Sequence, residues 1–135
     1  MQGYMHKLHS IRATAKEAET KGLSDEVIHQ FIESDANLRK AIDEAAKNYR
    51  ELEKEFSNVL RMKEEEQVEY LLTGYVNFYT PETINPYVPL AACGPWIITT
   101  AGAVLHDSGG YGMLGFGQNP QDVLDAMNQK HVMAN

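Results

Sequence analysis

The chain is nearly devoid of cysteine: Cys93 is the only one in 135 residues. An intramolecular disulfide framework is therefore impossible. No apolar run approaches the ~18 residues that a membrane-spanning helix requires. The stretch Met1-Gln2-Gly3-Tyr4-Met5-His6-Lys7 lacks the apolar centre of a secretory signal. Together these lacks point to the cytoplasm. Positive charge is also short, with 12 Lys and Arg against 19 Asp and Glu, a net charge of -7. A nucleic-acid-binding surface needs a basic face to displace counterions from phosphates, so that class of partner is not expected. No Gly-Lys-Ser or Gly-Lys-Thr occurs, which removes a P-loop.

What is present is unevenly distributed. Residues 1–74 carry 11 of the 12 basic and 15 of the 19 acidic side chains and no proline. From Gly74 onward the chain carries eight of its ten glycines and all five prolines. The first part therefore reads as solvated helices, and the second as turns, short strands and close backbone approaches. The expected class is α+β, with a helical N-terminal extension over 1–74 and a small-domain segment over 75–135.

Three helical stretches are expected in the first part. One covers roughly residues 4–21 and stops at Gly22, a residue type suited to a C-terminal cap. The second starts at Ser24, with Asp25 and Glu26 in the dipole-favoured first turn and Val27, Ile28, Phe31 and Ile32 on one face. The third is long, from about 35 to 72. Its apolar residues Leu38, Ile42, Ala45, Tyr49, Leu52, Phe56 and Val59 alternate gaps of four and three, a heptad seam that suits packing against another helix. Lys63 and Glu66 break that register. A hairpin within the chain and a coiled coil between chains both satisfy the pattern.

The second part reads as irregular as far as residue 95, with 85–89 held extended by its prolines. Trp96-Ile97-Ile98-Thr99-Thr100 has strong strand propensity, Ala101-Gly102 can turn, and Ala103-Val104-Leu105-His106 can return. Asn119 and Pro120 open a last helix, with Val123, Leu124 and Met127 expected to face inward.

Candidate chemistry is sparse. Gly110-Tyr111-Gly112-Met113-Leu114-Gly115 fits G-x-G-x-x-G, but no helix opens inside it and no acidic residue follows at the right distance. His6 and His9 lack the companions of a zinc site. His106, Asp107 and Ser108 are triad types, yet neighbours in an extended chain point to opposite faces. Cys93 reads as a small buried hydrophobe rather than a nucleophile. What remains is Tyr87 in a rigid segment and Tyr111 among Gly109, Gly110 and Gly112. Such residues suit the wall of a small-molecule pocket, and equally a tight loop over a core.

Residues 85–129 resemble the N-terminal segment of class III, fold type I, pyridoxal-phosphate aminotransferases, the ornithine, acetylornithine, γ-aminobutyrate and lysine 6-aminotransferase group. Tyr87-Val88-Pro89 matches the family's extended aromatic-proline element. Val104-Leu105-His106-Asp107 matches its strand ending in Asp, and Ser108-Gly109-Gly110-Tyr111-Gly112 its glycine-rich turn. Gly117-Gln118-Asn119-Pro120 falls on its Gly-His-x-His-Pro-like motif, one residue shorter and without the histidines, and Gln129 stands nine residues after Pro120. Thr99-Thr100-Ala101-Gly102 replaces the usual Asp-x-x-Gly turn.

The resemblance implies a homodimeric enzyme acting on an amine or amino acid. Its cofactor lysine, pyridine-nitrogen aspartate and phosphate turn would lie in a large domain outside this segment. Tyr87, Gly110, Tyr111 and Gly112 would line the substrate access path near the dimer interface, positioning substrate rather than transferring protons. On this reading the chain is an N-terminal fragment. It has no catalytic residues and no covalent pyridoxal phosphate of its own. The other reading is a non-catalytic helical interaction module.

Overall fold

A 25-residue helix runs along the centre of the molecule. The computed structural model describes residues 2–76, 78–108 and 115–130. Among them the helices are α1 (Gln2–Arg12), α2 (Asp25–Ser34), α3 (Ala36–Leu60), α4 (Glu64–Leu72) and α5 (Gln121–Met127). The strands β1 (Pro89–Cys93), β2 (Trp96–Thr99) and β3 (Val104–His106) form one antiparallel sheet in the order β1-β2-β3. The α+β expectation holds at this level.

Asp35 starts α3 and joins it to the sheet. One carboxylate oxygen accepts from the Asn37 and Leu38 amides at 2.8 and 3.4 Å, satisfying donors at the helix start. The other accepts from Trp96 Nε1 at 2.8 Å. The seam residues Leu38, Ile42, Ala45 and Tyr49 are buried, and they are covered from within the chain. Met5, Leu8 and Ile11 of α1, Ile28 and Ile32 of α2, and Leu90, Cys93, Trp96, Ile98 and Val104 of the sheet share one core with them. The seam therefore serves neither a simple helical hairpin nor a coiled coil between chains. It packs mainly on a sheet face. Within the seam Phe56 is exposed, at a kink with φ -124° and ψ 30°, while the last member, Val59, is buried again.

The long third helix expected over 35–72 is two helices. Arg61 leaves the helical region and Lys63 is extended, after which α4 restarts. The Glu66 carboxylate accepts from the Lys63 amide at 2.9 Å, half of a capping box. The run Glu64-Glu65-Glu66 is the acidic first turn of a new helix.

The first helix is also shorter than expected. It ends at Arg12, where the anchoring series Met5, Leu8, Ile11 runs out, and Thr14 Oγ1 donates to the Ile11 carbonyl at 2.9 Å. Thr14 also bonds the Tyr49 hydroxyl. Gly22 is not a helix cap. Its φ is +67°, and a Cβ there would meet the Val104 carbonyl oxygen at 2.7 Å. The next residue, Leu23, donates its amide to that same carbonyl at 2.8 Å. Gly22 thus lets the loop lie against β3.

The expected β2–turn–β3 hairpin is present, closed by Gly102 N–H to the Thr99 carbonyl at 2.9 Å. The stretch expected to be irregular before residue 95 contains β1, paired to β2 with a register irregularity between Pro89 and Ala91. Pro89 stands at the first strand position, where a missing donor is tolerated. In the last helix Pro120 takes the cap position, and Asn119 has φ +47°. Val123, Leu124 and Met127 do not face inward: α5 buries nothing, and the three are exposed. No helix of the described residues is long and apolar enough to cross a membrane.

Candidate functional site

Two of the segments singled out by the resemblance, the end of β3 and residues 117–120, meet at the β1–β2 turn. At the β1–β2 turn, Gly94 and Gln118 exchange backbone hydrogen bonds, at 2.9 Å from the Gly94 amide and 2.7 Å from the Gln118 amide. Just past β3, the Asp107 amide donates to the Pro95 carbonyl at 2.7 Å. Gln118 Nε2 donates to the Asp107 carboxylate at 3.1 Å. Asn119 Nδ2 reaches the Ala92 carbonyl at 2.8 Å. The strand that ends in Asp and the Gly-Gln-Asn-Pro motif, separated along the chain, are thus tied together across the β1–β2 turn.

Tyr87, just before β1, is half-buried. Burial raises its phenol above the ordinary tyrosine value, and the negative Asp107 adds to the effect. The tyrosine therefore stays a neutral hydroxyl with an apolar body, as suits positioning rather than proton transfer. Gly110, Tyr111 and Gly112, the other expected substrate-contact residues, lie outside the described residues, as does the G-x-G-x-x-G pattern up to Leu114.

Beside this node a pocket of about 150 Å³ is lined by Asn37 and Lys40 of α3, by Cys93 and Gly94, and by Phe116 and residues 118–121. Enclosing a drug-sized molecule takes roughly 300–1,000 Å³. This pocket is too small for pyridoxal phosphate, and Lys40, its one lysine, is exposed on α3. This pocket does not fit that cofactor. Cys93 lies at the pocket floor, buried, with its thiol 3.6 Å from Asn37 Oδ1. Burial pushes the thiol up, Lys40 opposes this weakly, and Glu44 and Asp35 reinforce it. A thiol held protonated is a poor nucleophile.

The remaining candidates separate. His106 packs its ring edge-on to Trp96, with centroids 4.9 Å apart, while Asp107 turns to Gln118. His6 is exposed and His9 bonds Asp25 at 3.0 Å. No cluster of three or more His, Cys, Asp or Glu able to hold a metal ion occurs among the described residues.

Two polar residues that the sequence did not single out are buried in α4. Glu64 Oε2 accepts from the Glu19 and Thr20 amides at 3.1 and 2.9 Å, while its Oε1 is buried without a hydrogen-bond partner. Gln67 accepts from Thr100 Oγ1 at 2.7 Å and donates to the Met62 carbonyl at 3.2 Å. They fasten α4 to the 13–23 loop and to the β2–β3 turn. The break at Lys63 was the only local hint that Glu64 opens a helix rather than riding on the surface of one.

Comparison with protein-family profiles, with curated proteins and with solved structures returns no match to this chain.

Proposed function

We propose that residues 85–129 are the N-terminal small-domain segment of a class III, fold type I, aminotransferase-like enzyme acting on an amine or amino acid. The segment shapes substrate access and contributes to the contact between two subunits. The observation that carries this reading is the node at the β1–β2 turn. Two motifs recognised independently in the sequence, the strand ending in Asp107 and Gly117-Gln118-Asn119-Pro120, are joined there by the Gln118–Asp107 hydrogen bond. An antiparallel sheet precedes them and a short helix follows, in the order the resemblance implies.

Tyr87 is the substrate-facing residue of the described set. Its apolar ring and neutral hydroxyl orient a substrate and shield it from water. Pyridoxal phosphate supplies the electron sink in the family, and on this reading the groups that anchor it lie outside residues 85–129. On this reading the chain neither transaminates nor binds that cofactor covalently by itself.

A chimera tests the proposal. Residues 85–129 replace the corresponding segment of a class III aminotransferase, and cofactor content and steady-state kinetics are measured. Retained cofactor and activity, with Tyr87→Ala raising KM for the amine severalfold at little cost in kcat, are the expected results. A chimera that folds but loses the amine half-reaction overturns the proposal. So does an absorbing adduct, formed by the isolated 135-residue chain with pyridoxal phosphate, that borohydride fixes on one lysine.

A further inference from the structure

We infer that Tyr70, Leu71, Tyr75, Val76, Phe78 and Tyr79 form the surface through which two copies of this chain pair. The inference rests on the subunit pairing named above and gives it a location. Between Glu69 and Glu82 lie twelve residues without a charged side chain, in a chain where 23% of residues are charged. Six of the apolar side chains among them are exposed. Tyr75 is 76% exposed, Val76 100%, Phe78 91% and Tyr79 71%, and Tyr70 and Leu71 at the end of α4 are half exposed. Isolated exposed hydrophobics are ordinary, but six within ten residues form a patch that needs cover.

The area identifies the occupant. At roughly 150–250 Å² per aromatic side chain, the exposed fractions amount to on the order of 800 Å². That equals the roughly 800 Å² each partner contributes to a stable interface. Two copies related by a two-fold axis would present the same uncharged patch to each other, the self-complementary arrangement of closed dimers. The patch offers a charged partner nothing to recognise. It also lets two chains of net charge -7 meet without bringing like charges into the centre of the contact. Glu69 and Glu82 are left at the rim, where repulsion is screened by salt. Association should therefore tighten as ionic strength rises, the reverse of an ion-pair interface.

Sedimentation velocity of the full chain, up to ~100 µM and at low and high salt, tests this, with Val76→Glu/Phe78→Glu as the variant. Both side chains are almost wholly exposed, so unchanged far-ultraviolet circular dichroism is expected to show that the fold survives. The expected result is a dimer that strengthens with salt in the parent chain. With that burial lost, dissociation at least tenfold easier is expected in the variant. A parent chain that stays monomeric overturns both this surface and the pairing itself. Equal dimerisation of parent and variant overturns the surface and leaves pairing to another face. Open-ended association of the parent overturns the two-fold arrangement.

Discussion

The core around α3 and the apron from residue 70 to 81 contain similar residue types in opposite circumstances. Trp96 is 1% exposed, donates to Asp35 and meets Phe31 edge-on at 5.0 Å. Phe78, also aromatic, is 91% exposed, and among the described residues the ring contact it has is its chain neighbour Tyr79. The contrast teaches that apolar composition does not by itself make a core. Trp96 lies on a strand whose position is fixed by β1 and β3 and by the Asp35 carboxylate. The apron lies between α4 and the 3-10 turn at Pro81–Thr83, and its described aromatic side chains are exposed. Apolar surface without such anchoring waits for cover from outside.

Substitutions can break or sharpen that contrast. Trp96→Ala should be the most damaging, at about 3–5 kcal/mol by chemical denaturation, because it leaves a cavity and strands the Asp35 carboxylate. Gly22→Ala should cost on the order of 2–3 kcal/mol, since it adds a clash with Val104 to an unfavourable φ. Gly74→Ala has a similar φ of +87° but meets nothing within 4 Å, so it should cost only about 1 kcal/mol. The gap between the two glycines isolates the value of close packing from that of backbone conformation.

Acid should loosen the core side first. The Arg12 guanidinium at 2.6 Å, helped by His9, holds the Asp25 carboxyl below the ordinary range. Burial pushes Asp35 up, but bonds from Trp96, Asn37 and Leu38 together outweigh it and leave the group lowered. A depressed carboxyl stabilises the fold fully above its unfolded value of about 4, and that contribution is lost as pH falls through the folded value. Urea midpoints should therefore drop below about pH 4, and less steeply in Asp25→Asn. Smallest of all, Phe78→Ser should change the stability of the dissociated chain by no more than about 0.5 kcal/mol, measured by urea unfolding at low concentration.

How far the fold could be read in advance depended on the range of the interactions. Local signals sufficed for α2, whose acidic first turn and apolar face are adjacent in sequence, and for the β2–β3 hairpin. They failed for β1, whose Pro-Leu-Ala-Ala-Cys has no alternation and becomes a strand by pairing with β2. They failed at Gly22, where a contact 82 positions away along the chain, Val104, and not a helix end, sets the requirement. Val123, Leu124 and Met127 have inward spacing, yet among the described residues none of them is buried. At the site, the prolines on either side of Tyr87 were legible. The Asp107–Gln118 tie and the clamp of Glu64 on the 13–23 loop were not, because each depends on where separate segments meet.

Trp96 is the single tryptophan of the chain. Its ring touches Phe31 from α2 and His106 from β3, and its indole nitrogen reaches the residue that caps α3. One fluorophore therefore reports the moment when segments 61 positions apart along the chain come together. Helices form from local contacts, whereas this junction must close a long loop. In a stopped-flow refolding experiment the emission change should lag the helical dichroism, making the indole a built-in clock for the last step of assembly.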